Sequence, residues 1–212
     1  MKRTRIKICG ITSIDDAQLA VDLGADAVGF VFWPGSPRCI TPERAGLIAA
    51  TLPRFVTAVG VFVNQPPDEI GRVIGEVGLG AVQLHGDEPV EQWTSMPCQT
   101  LKAIGIDHAF DGPSLTAWPS TVMPLLDVAD PERRGGTGQA IDWTRAAAAA
   151  RVRRVVLAGG LRPDNVEQAI NIVGPYAVDV SSGVEREPGV KDADRVRAFF
   201  AAVARADGWR AR

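Results

Sequence analysis

The sequence lacks any long block of charge of one sign. Its 23 Lys and Arg residues and 25 Asp and Glu residues are interspersed along 212 positions, and the formal net charge is −2. A chain without a basic block is not expected to bind nucleic acid. No apolar stretch is long enough to cross a bilayer, and none follows the basic start MKRTRIK to make a signal peptide. We therefore expect neither nucleic acid nor a membrane as a partner.

Cysteine is also scarce in this sequence. The chain has three, Cys9, Cys39 and Cys98, and an odd number at wide spacing indicates neither a disulfide framework nor a pair of zinc ligands. Free thiols are typical of a reducing compartment, so we expect a cytoplasmic protein. No linker or change of composition divides the chain. We expect a single domain over residues 1–212, long enough to bury a sizeable core.

Short apolar runs rich in Val, Ile and Phe recur along the chain. Most lack polar alternation, which is typical of strands covered on both faces. The segments between them have helical spacing. One begins at Ser13, a predicted N-cap, and ends at Gly24, a predicted C-cap; the next begins at Thr41 with Pro42 as its first residue. The weakest helical segment, GIDHAFDGPSLTAWPST, is broken by Gly and Pro. The eight runs are RIKIC, ADAVGFVF, FVTAVGVFV, GAVQLH, QTLKAI, VMPLLDV, RRVVLAGG and YAVDVSSG.

This alternation predicts an α/β fold, a single-domain (β/α)8 TIM barrel with an irregular fifth βα unit. An open, doubly wound sheet is the alternative, but it usually has fewer strands. In a barrel the active site lies at the C-terminal ends of the strands. Side chains two residues apart on a strand share a face, so polar residues at the strand ends are expected to converge at one rim. These residues are Cys9, Arg38, Asn64, His85, Asp127, Gly159, Gly160 and Asp179.

Two turns rich in small residues follow the last two predicted strands. They are LAGGLRPDNV, with Gly159 and Gly160, and DVSSGVE, with Ser181, Ser182 and Gly183. Barrels frequently bind phosphate there through backbone N–H groups, which glycine lets a ligand approach closely. The serine hydroxyls add further donors. The sequence therefore predicts a phosphorylated small molecule as substrate.

Several longer motifs occur in order along nearly the whole chain. They are KICGIT, GFVFWPGSPR, VGVFVN, VQLHGDE, LLD, GGTG followed by DW, LAGGLRPDNV and DVSSGVEREPGVKD. Together they resemble the phosphoribosylanthranilate isomerase family of tryptophan biosynthesis. The resemblance implies a (β/α)8 barrel without a metal or an organic cofactor. It also implies an Amadori rearrangement of N-(5'-phosphoribosyl)anthranilate to 1-(2-carboxyphenylamino)-1-deoxyribulose 5-phosphate.

The resemblance implies that Cys9 is the base and Asp127 the acid. The acid would protonate the ribose ring oxygen as the ring opens, and the base would remove the proton from C2 of the resulting Schiff base. Without the surrounding motifs, Cys9 would be interpreted as a buried packing residue, and Asp127 as a residue that caps the next turn. A free thiol has a pKa of about 8.5, so its ionisation needs help from a nearby donor or dipole.

Four further residues are candidates for contact with the substrate. The guanidinium of Arg38, a solvated loop charge in the alternative reading, suits the benzoate carboxylate of the substrate. Asp179 would either hold the turn after the eighth strand or, by the resemblance, contact the sugar or the amine. His85 would either line the pocket or be an ordinary strand-end residue. Gly136, within GGTG at 135–138, is expected to contact the substrate from a mobile lid, with a phosphate nest as the alternative.

Three other functions remain open at this point. A phosphosugar epimerase or aldolase would share the phosphate-binding turns but would require a metal cluster or a lysine that forms a Schiff base. Lys7 and Lys102, which lie in strand-like runs, are the candidates for such a lysine. A related isomerase acting on both tryptophan and histidine precursors would have Asp in place of Cys9. A phosphosugar-binding regulatory barrel would not need the Cys9 and Asp127 pair. The oligomeric state, monomer or homodimer, also stays open.

Overall fold

Eight parallel strands close into a barrel, which confirms the predicted fold class. The computed structural model describes residues 3–107, 109–128 and 142–208. Each strand pairs with the next in chain order, and the eighth pairs with the first to close the barrel. The strands, numbered β1 to β8, are Arg5–Cys9, Ala27–Val31, Thr57–Phe62, Ala81–Leu84, Gln99–Ile106, Val122–Val128, Val156–Leu157 and Ala177–Val180.

Helices cover the outside of the barrel. Between β5 and β6 the chain forms a 3₁₀ helix, Gly112–Ala117, in place of an α-helix, so the fifth βα unit is irregular as predicted. Within the described ranges, no helix is both long and apolar enough to span a membrane. The α-helices of these ranges, numbered α1 to α7, are Ile14–Asp22, Pro42–Ala49, Pro67–Val77, Val90–Ser95, Trp143–Val152, Val166–Val173 and Ala193–Ala206.

The first two helices begin where the sequence predicts. The side chain of Ser13 accepts a hydrogen bond from Asp16 N, and that of Thr41 accepts one from Arg44 N, so each satisfies a backbone donor at a helix start. The predicted C-cap of α1 is wrong by one residue. Leu23 is the cap, and Gly24 follows it with a φ of 95°, a left-handed conformation that glycine adopts without strain.

Side chains alternate between the inside of the barrel and the helices around it. One cluster, inside the barrel, contains Leu125, Val156, Ala158 and Ala177. A much larger cluster lies between strands and helices and includes fully buried Phe30. Because the inward positions of neighbouring strands converge, polar residues at inward positions near the strand ends meet at one rim.

A short hairpin follows β8 and lies against the turn after β1. Its two strands, β9 at Glu185–Glu187 and β10 at Val190–Lys191, are antiparallel. The Thr12 hydroxyl donates to the Gly189 carbonyl at 2.5 Å, and Lys191 N donates to Asp16 Oδ2 at 3.2 Å. These bonds attach the hairpin to the segment that leads from β1 into α1.

Arg153 organises the irregular fifth unit from a distance. It follows α5, and its guanidinium donates to backbone carbonyls at 2.6–3.3 Å. Two of these carbonyls also accept a backbone bond, Leu115 O from Trp118 N at 3.2 Å and Pro119 O from Val122 N at 3.1 Å. Arg153 adds charged donors to these turns, which lead from the 3₁₀ helix into β6. One side chain therefore joins the 3₁₀ helix, the turn after it and the start of β6. The acceptors are the carbonyls of Leu115, Trp118, Pro119 and Val122.

Arg153→Met should lower the free energy of unfolding by about 2 kcal/mol or more, because hydrogen bonds to a charged group contribute roughly 1.5–3 kcal/mol each and are not additive. Urea denaturation followed by circular dichroism measures this. Arg151→Met, a change on the exposed end of α5, is the matched control and should shift stability by less than about 0.5 kcal/mol. Equal losses in the two variants would contradict the organising role of Arg153.

Candidate active site

The predicted site residues of the described ranges lie at the C-terminal end of the barrel. Cys9 ends β1, Asp127 lies one residue before the end of β6, and Asp179 lies in β8. His85 directly follows β4. The chain therefore brings these side chains from four strands to one rim. Gly136 lies outside the described residues.

The thiol of Cys9 is buried between an apolar wall and a lysine. Cys9 packs with Val31, Val61 and the half-buried Trp33. Gly29, opposite Cys9 on β2, leaves room for the thiol: a Cβ there would lie 2.8 Å from Cys9 Sγ and 3.1 Å from Lys7 Nζ. The thiol and the ammonium of Lys7 therefore meet over this glycine.

Lys7 is held by Asp179. Its Nζ lies 2.9 Å from Asp179 Oδ1, and the two side chains are only 5% and 8% exposed. Burial alone lowers the pKa of Lys7, but the charges and hydrogen bonds of Asp179 and Cys9 outweigh it and the pKa is raised. Lys7 is thus a permanent cation inside the barrel.

Two effects oppose each other at the Cys9 thiol. Burial raises its pKa above the ordinary value, while the charge of Lys7 acts in the opposite direction; Asp179 adds to the increase and Lys191 opposes it. The net direction is upward. Cys9 is therefore predominantly a thiol at neutral pH, and its thiolate, when formed, lies beside the cation that stabilises it.

Asp127 faces His85 across the rim. The distance from His85 Nε2 to Asp127 Oδ2 is 3.4 Å. Asp127 Oδ1 accepts a hydrogen bond from Val128 N at 2.7 Å. On the other side of the ring, His85 Nδ1 is 2.9 Å from Nε2 of Gln83, two residues earlier on β4. Gln83, His85 and Asp127 thus form a continuous line of polar groups.

Arg38 has one edge of its guanidinium already engaged. Its Nε and Nη2 donate to the carboxylate of Glu185, the first residue of β9, at 2.7–3.1 Å. Its Cδ lies against Gly10, where a Cβ would approach to 2.6 Å, so the side chain passes directly over the turn that follows Cys9. The other edge of the guanidinium, formed by both N–H groups of Nη1 and the second N–H of Nη2, remains for a ligand carboxylate.

Glu185 and Lys191 connect the hairpin to the base of the site. Lys191 Nζ lies 2.8 Å from Glu185 Oε1 and donates to the Cys9 carbonyl at 2.5 Å, with its side chain 0% exposed. Burial raises the pKa of Glu185, but hydrogen bonds and charge from Arg38 and Lys191 outweigh it, and the net pKa is lowered. Glu185 is therefore ionised between two cations.

The two small-residue turns lie side by side. Gly183 packs so closely on the chain after β7 that a Cβ would come within 1.9 Å of the Leu161 carbonyl oxygen. Gly159 and Gly160 both have positive φ, 76° and 65°. The side chain of Asn165 holds this turn by donating to the Gly160 carbonyl at 3.0 Å. Among the described residues, the N–H groups of Gly160 and Gly183 have no protein acceptor.

The second turn contains two serines. Ser182 begins a 3₁₀ helix, Ser182–Val184, and Ser181 precedes it. The Ser181 hydroxyl lies 3.4 Å from Glu185 Oε1. The turn after β8 is therefore linked to the same carboxylate that holds Arg38.

Comparison with known proteins identifies the family. A sequence model of N-(5'phosphoribosyl)anthranilate (PRA) isomerase matches residues 6–202. The chain belongs to this family. The match confirms the resemblance drawn from the motifs and covers every candidate residue described above.

Relatives of the family match over almost their full length. The N-(5'-phosphoribosyl)anthranilate isomerase of Geobacter sulfurreducens is 48% identical over 97% of this chain and 99% of its own. The crystal structure of phosphoribosyl anthranilate isomerase from Thermus thermophilus superposes with a TM-score of 0.87 at 42% identity, covering 95% of this chain and 99% of that one. Its agreement supports a barrel with the strand order described here.

Two further structures of the family carry information about ligand and assembly. One is a phosphoribosyl anthranilate isomerase in complex with reduced 1-(o-carboxyphenylamino)-1-deoxyribulose 5-phosphate; it has a TM-score of 0.83, 44% identity, and covers 97% of this chain and 99% of that one. The other holds mutually generated monomers of a dimeric enzyme from Thermotoga maritima, with a TM-score of 0.83, 43% identity and the same coverage.

Sequence reasoning missed four residues of the site. Gln83, Glu185 and Lys191 were not candidates, and Lys7 was considered only for Schiff-base chemistry. Lys7, Gln83 and Lys191 are buried polar residues in strands. That signal was available for Lys7 and Gln83, since a polar residue two positions before a strand-end candidate shares its face. For Glu185 and Lys191 no local pattern points to the site.

Removing the charge of Lys7 should raise the pKa of Cys9 further. Lys7→Met eliminates the largest influence that opposes burial, so less thiolate exists at any given pH below the pKa. The pH dependence of Cys9 alkylation, measured by mass spectrometry of the modified peptide, should move to higher pH. Lys7→Arg keeps the charge and should move it less.

In Lys7→Met the buried carboxylate of Asp179 loses its cation, and a second variant separates that effect from the effect of Lys7 on the thiol. Lys7→Met combined with Asp179→Asn removes both buried charges, and the upward shift should persist, reduced by the loss of the Asp179 charge. An unchanged alkylation profile in Lys7→Met would show that Lys7 does not act on the thiol.

Proposed function

We propose that this chain converts N-(5'-phosphoribosyl)anthranilate to 1-(2-carboxyphenylamino)-1-deoxyribulose 5-phosphate in tryptophan biosynthesis, with Cys9 as base and Asp127 as acid. Membership of the family supports the reaction. The observation that carries the assignment of residues is the convergence of Cys9 on β1 and Asp127 on β6 at the rim where the two glycine turns also lie.

The reaction needs one proton given and one removed. Asp127 gives its proton to the ribose ring oxygen as the bond from that oxygen to C1 breaks, and the anthranilate nitrogen supplies electrons to form the Schiff base. The Cys9 thiolate then takes the proton from C2, which gives an enol-amine that tautomerises to the ketone. An acid and a base on opposite sides of the sugar suffice for these steps.

The environments of the two groups suit these roles. Lys7 lies beside the Cys9 thiol and stabilises the thiolate without giving up its own proton, because Asp179 keeps it charged. Asp127 is buried and accepts a hydrogen bond from Val128 N, which stabilises the carboxylate that remains after proton transfer. The bond between Lys7 and Asp179 gives Asp179 a role in charge balance, alongside any contact it makes with the sugar or amine.

The other candidate residues bind the carboxylate and the phosphate of the substrate or line its pocket. The free end of the Arg38 fork binds the benzoate carboxylate, with the other edge fixed by Glu185. Backbone N–H groups of Gly160 and Gly183, with Gly159, Ser181 and Ser182, bind the phosphate. His85 lines the pocket next to the acid. Gly136 contacts the substrate from the segment after β6.

The reaction takes place in the cytoplasm. Cys9, Cys39 and Cys98 are all free thiols, which suits a reducing compartment.

Cys9→Ser should lower kcat at least ~10²-fold, the usual scale for loss of a general base, with little change in KM. Asp127→Asn, of similar shape but a very poor proton donor, should lower kcat on the same scale. Conversion of N-(5'-phosphoribosyl)anthranilate, followed by anthranilate fluorescence, measures both, and circular dichroism checks the fold. Cys39→Ser is the control and should leave kcat unchanged. Near-normal kcat in either site variant would remove that residue from its role.

We also propose that the chain forms a homodimer through the end of the barrel opposite the active site. The relative from Thermotoga maritima is dimeric. In this chain, Phe55 precedes β3 and is 98% exposed, more than any other large apolar side chain described. It borders a cavity of about 900 Å³ formed where the strands begin. A two-fold axis at this end would bring Phe55 of each copy against the cavity of the other, whose lining includes the apolar side chains of Leu115, Met123 and Val152 beside charged ones.

Phe55→Asp should convert the dimer to a monomer, because the short carboxylate cannot fill the space that the ring would occupy and loses its hydration on burial. Analytical ultracentrifugation measures the change. Leu47→Asp is the matched control: Leu47 is 68% exposed on α2 but does not line the cavity, so the variant should remain dimeric. A monomeric parent protein, or a dimeric Phe55→Asp variant, would contradict this interface.

A further inference from the structure

Gln83 is a buried polar residue that the reaction described above does not use. It lies inside the barrel on β4 and is only 2% exposed. Its one hydrogen bond in the described ranges joins its amide Nε2 to Nδ1 of His85 at 2.9 Å. Its Oε1 has no partner among the described residues. Burying half of an amide unpaired is costly, so the contact to His85 is the feature that explains a glutamine here.

We propose that Gln83 is a positioning residue that keeps His85 neutral, with its proton on Nε2 and that proton directed at Asp127. This inference rests on the proposed role of Asp127 as the acid. It adds a specific protonation state to a residue that otherwise only lines the pocket.

The argument starts from the amide N–H of Gln83. With Nε2 of the amide facing Nδ1, that ring nitrogen presents its lone pair; the reversed amide would place Oε1 against an Nδ1–H and would require the other tautomer. The neutral ring then carries its proton on Nε2, the atom that faces Asp127. An imidazolium would place a second N–H against the amide N–H at 2.9 Å, and two donors at that distance repel each other. Gln83 therefore selects one tautomer and disfavours the charged ring.

The neutral tautomer suits an acid that must hold its proton until the substrate arrives. An imidazolium beside Asp127 would favour the carboxylate before the reaction begins. A neutral Nε2–H is a weaker donor: at 3.4 Å it makes a loose contact, which shortens as negative charge develops on Asp127 Oδ2. His85 and Val128 N then stabilise the two oxygens of the carboxylate that remains.

Of the charged groups around His85, Asp127 is the one that its ring contacts. On β5 the buried cation is Lys102, and it is paired with Glu88 at 2.7 Å. Glu88 also accepts from Asn64 N, in the segment after β3. Asp87, in the loop after His85, is exposed to solvent. Lys7 and Asp179 on the far strands are paired with each other.

The tautomer can be observed directly, because the chain has only two histidines. We expect the ¹⁵N spectrum of the imidazole rings to show His85 with a protonated Nε2 and an unprotonated Nδ1, and to keep this pattern across the pH range in which the enzyme is active. His108→Gln assigns the signals by removing the other ring. A proton on Nδ1, or a charged ring at neutral pH, would overturn the proposal.

Two variants of Gln83 test the consequence for the acid. Gln83→Glu places a carboxylate opposite Nδ1, which should make His85 an imidazolium and lower kcat by ~10²-fold, the scale of losing an acid. Gln83→Met removes the donor at similar size; His85 should then show a mixture of tautomers, with a fall in kcat of about 10-fold or less and little change in KM. Gln18→Met, on the exposed face of α1, is the control.

The outcomes separate this inference from the proposed function. If Asp127→Asn retains near-normal kcat, the assignment of the acid fails. If Asp127→Asn is inactive but Gln83→Met leaves both the ¹⁵N pattern of His85 and kcat unchanged, Asp127 keeps its role and the role of Gln83 is wrong. A variant that lost activity with the parent ¹⁵N pattern would show damage by another route and would also overturn the proposal.

Discussion

The ion pair between Lys7 and Asp179 is the interaction on which the rest of the site depends. A charge buried without a partner carries a large desolvation penalty, so neither residue is tolerated inside the barrel without the other. The two are also directly opposite in the register of β1 and β8, the strands whose pairing closes the barrel. Closure of the sheet therefore assembles the pair, and the pair holds a fixed positive charge next to the thiol of Cys9.

A second buried network fixes the segment around the first. Glu185 binds Arg38 and Lys191, and Lys191 reaches the Cys9 carbonyl. The carboxylate thereby sets the direction of the Arg38 guanidinium, and the Nη1–Nη2 edge remains for a ligand. The hairpin β9–β10 is thus a structural support for two candidate residues, Cys9 and Arg38, that lie far from it in the sequence.

The two ends of the barrel serve different purposes. At the C-terminal end, polar groups from β1, β4, β6 and β8 lie beside two glycine turns, and nearly every buried charge has a partner. At the other end lie the exposed ring of Phe55 and a cavity lined by both apolar and charged side chains. Because these surfaces are at opposite poles, association at one leaves the other open to a substrate.

The sequence by itself determined the elements and most of the rim. Apolar runs without alternation, caps at Ser13 and Thr41, and the position of residues at strand ends are local properties, and they predicted the barrel and the convergence of Cys9 with Asp127. Only the tertiary structure decided the partners: Lys7 with Asp179 and Arg38 with Glu185 are 172 and 147 positions apart. No local pattern encodes such pairs, because strand closure and the hairpin after β8 bring them together.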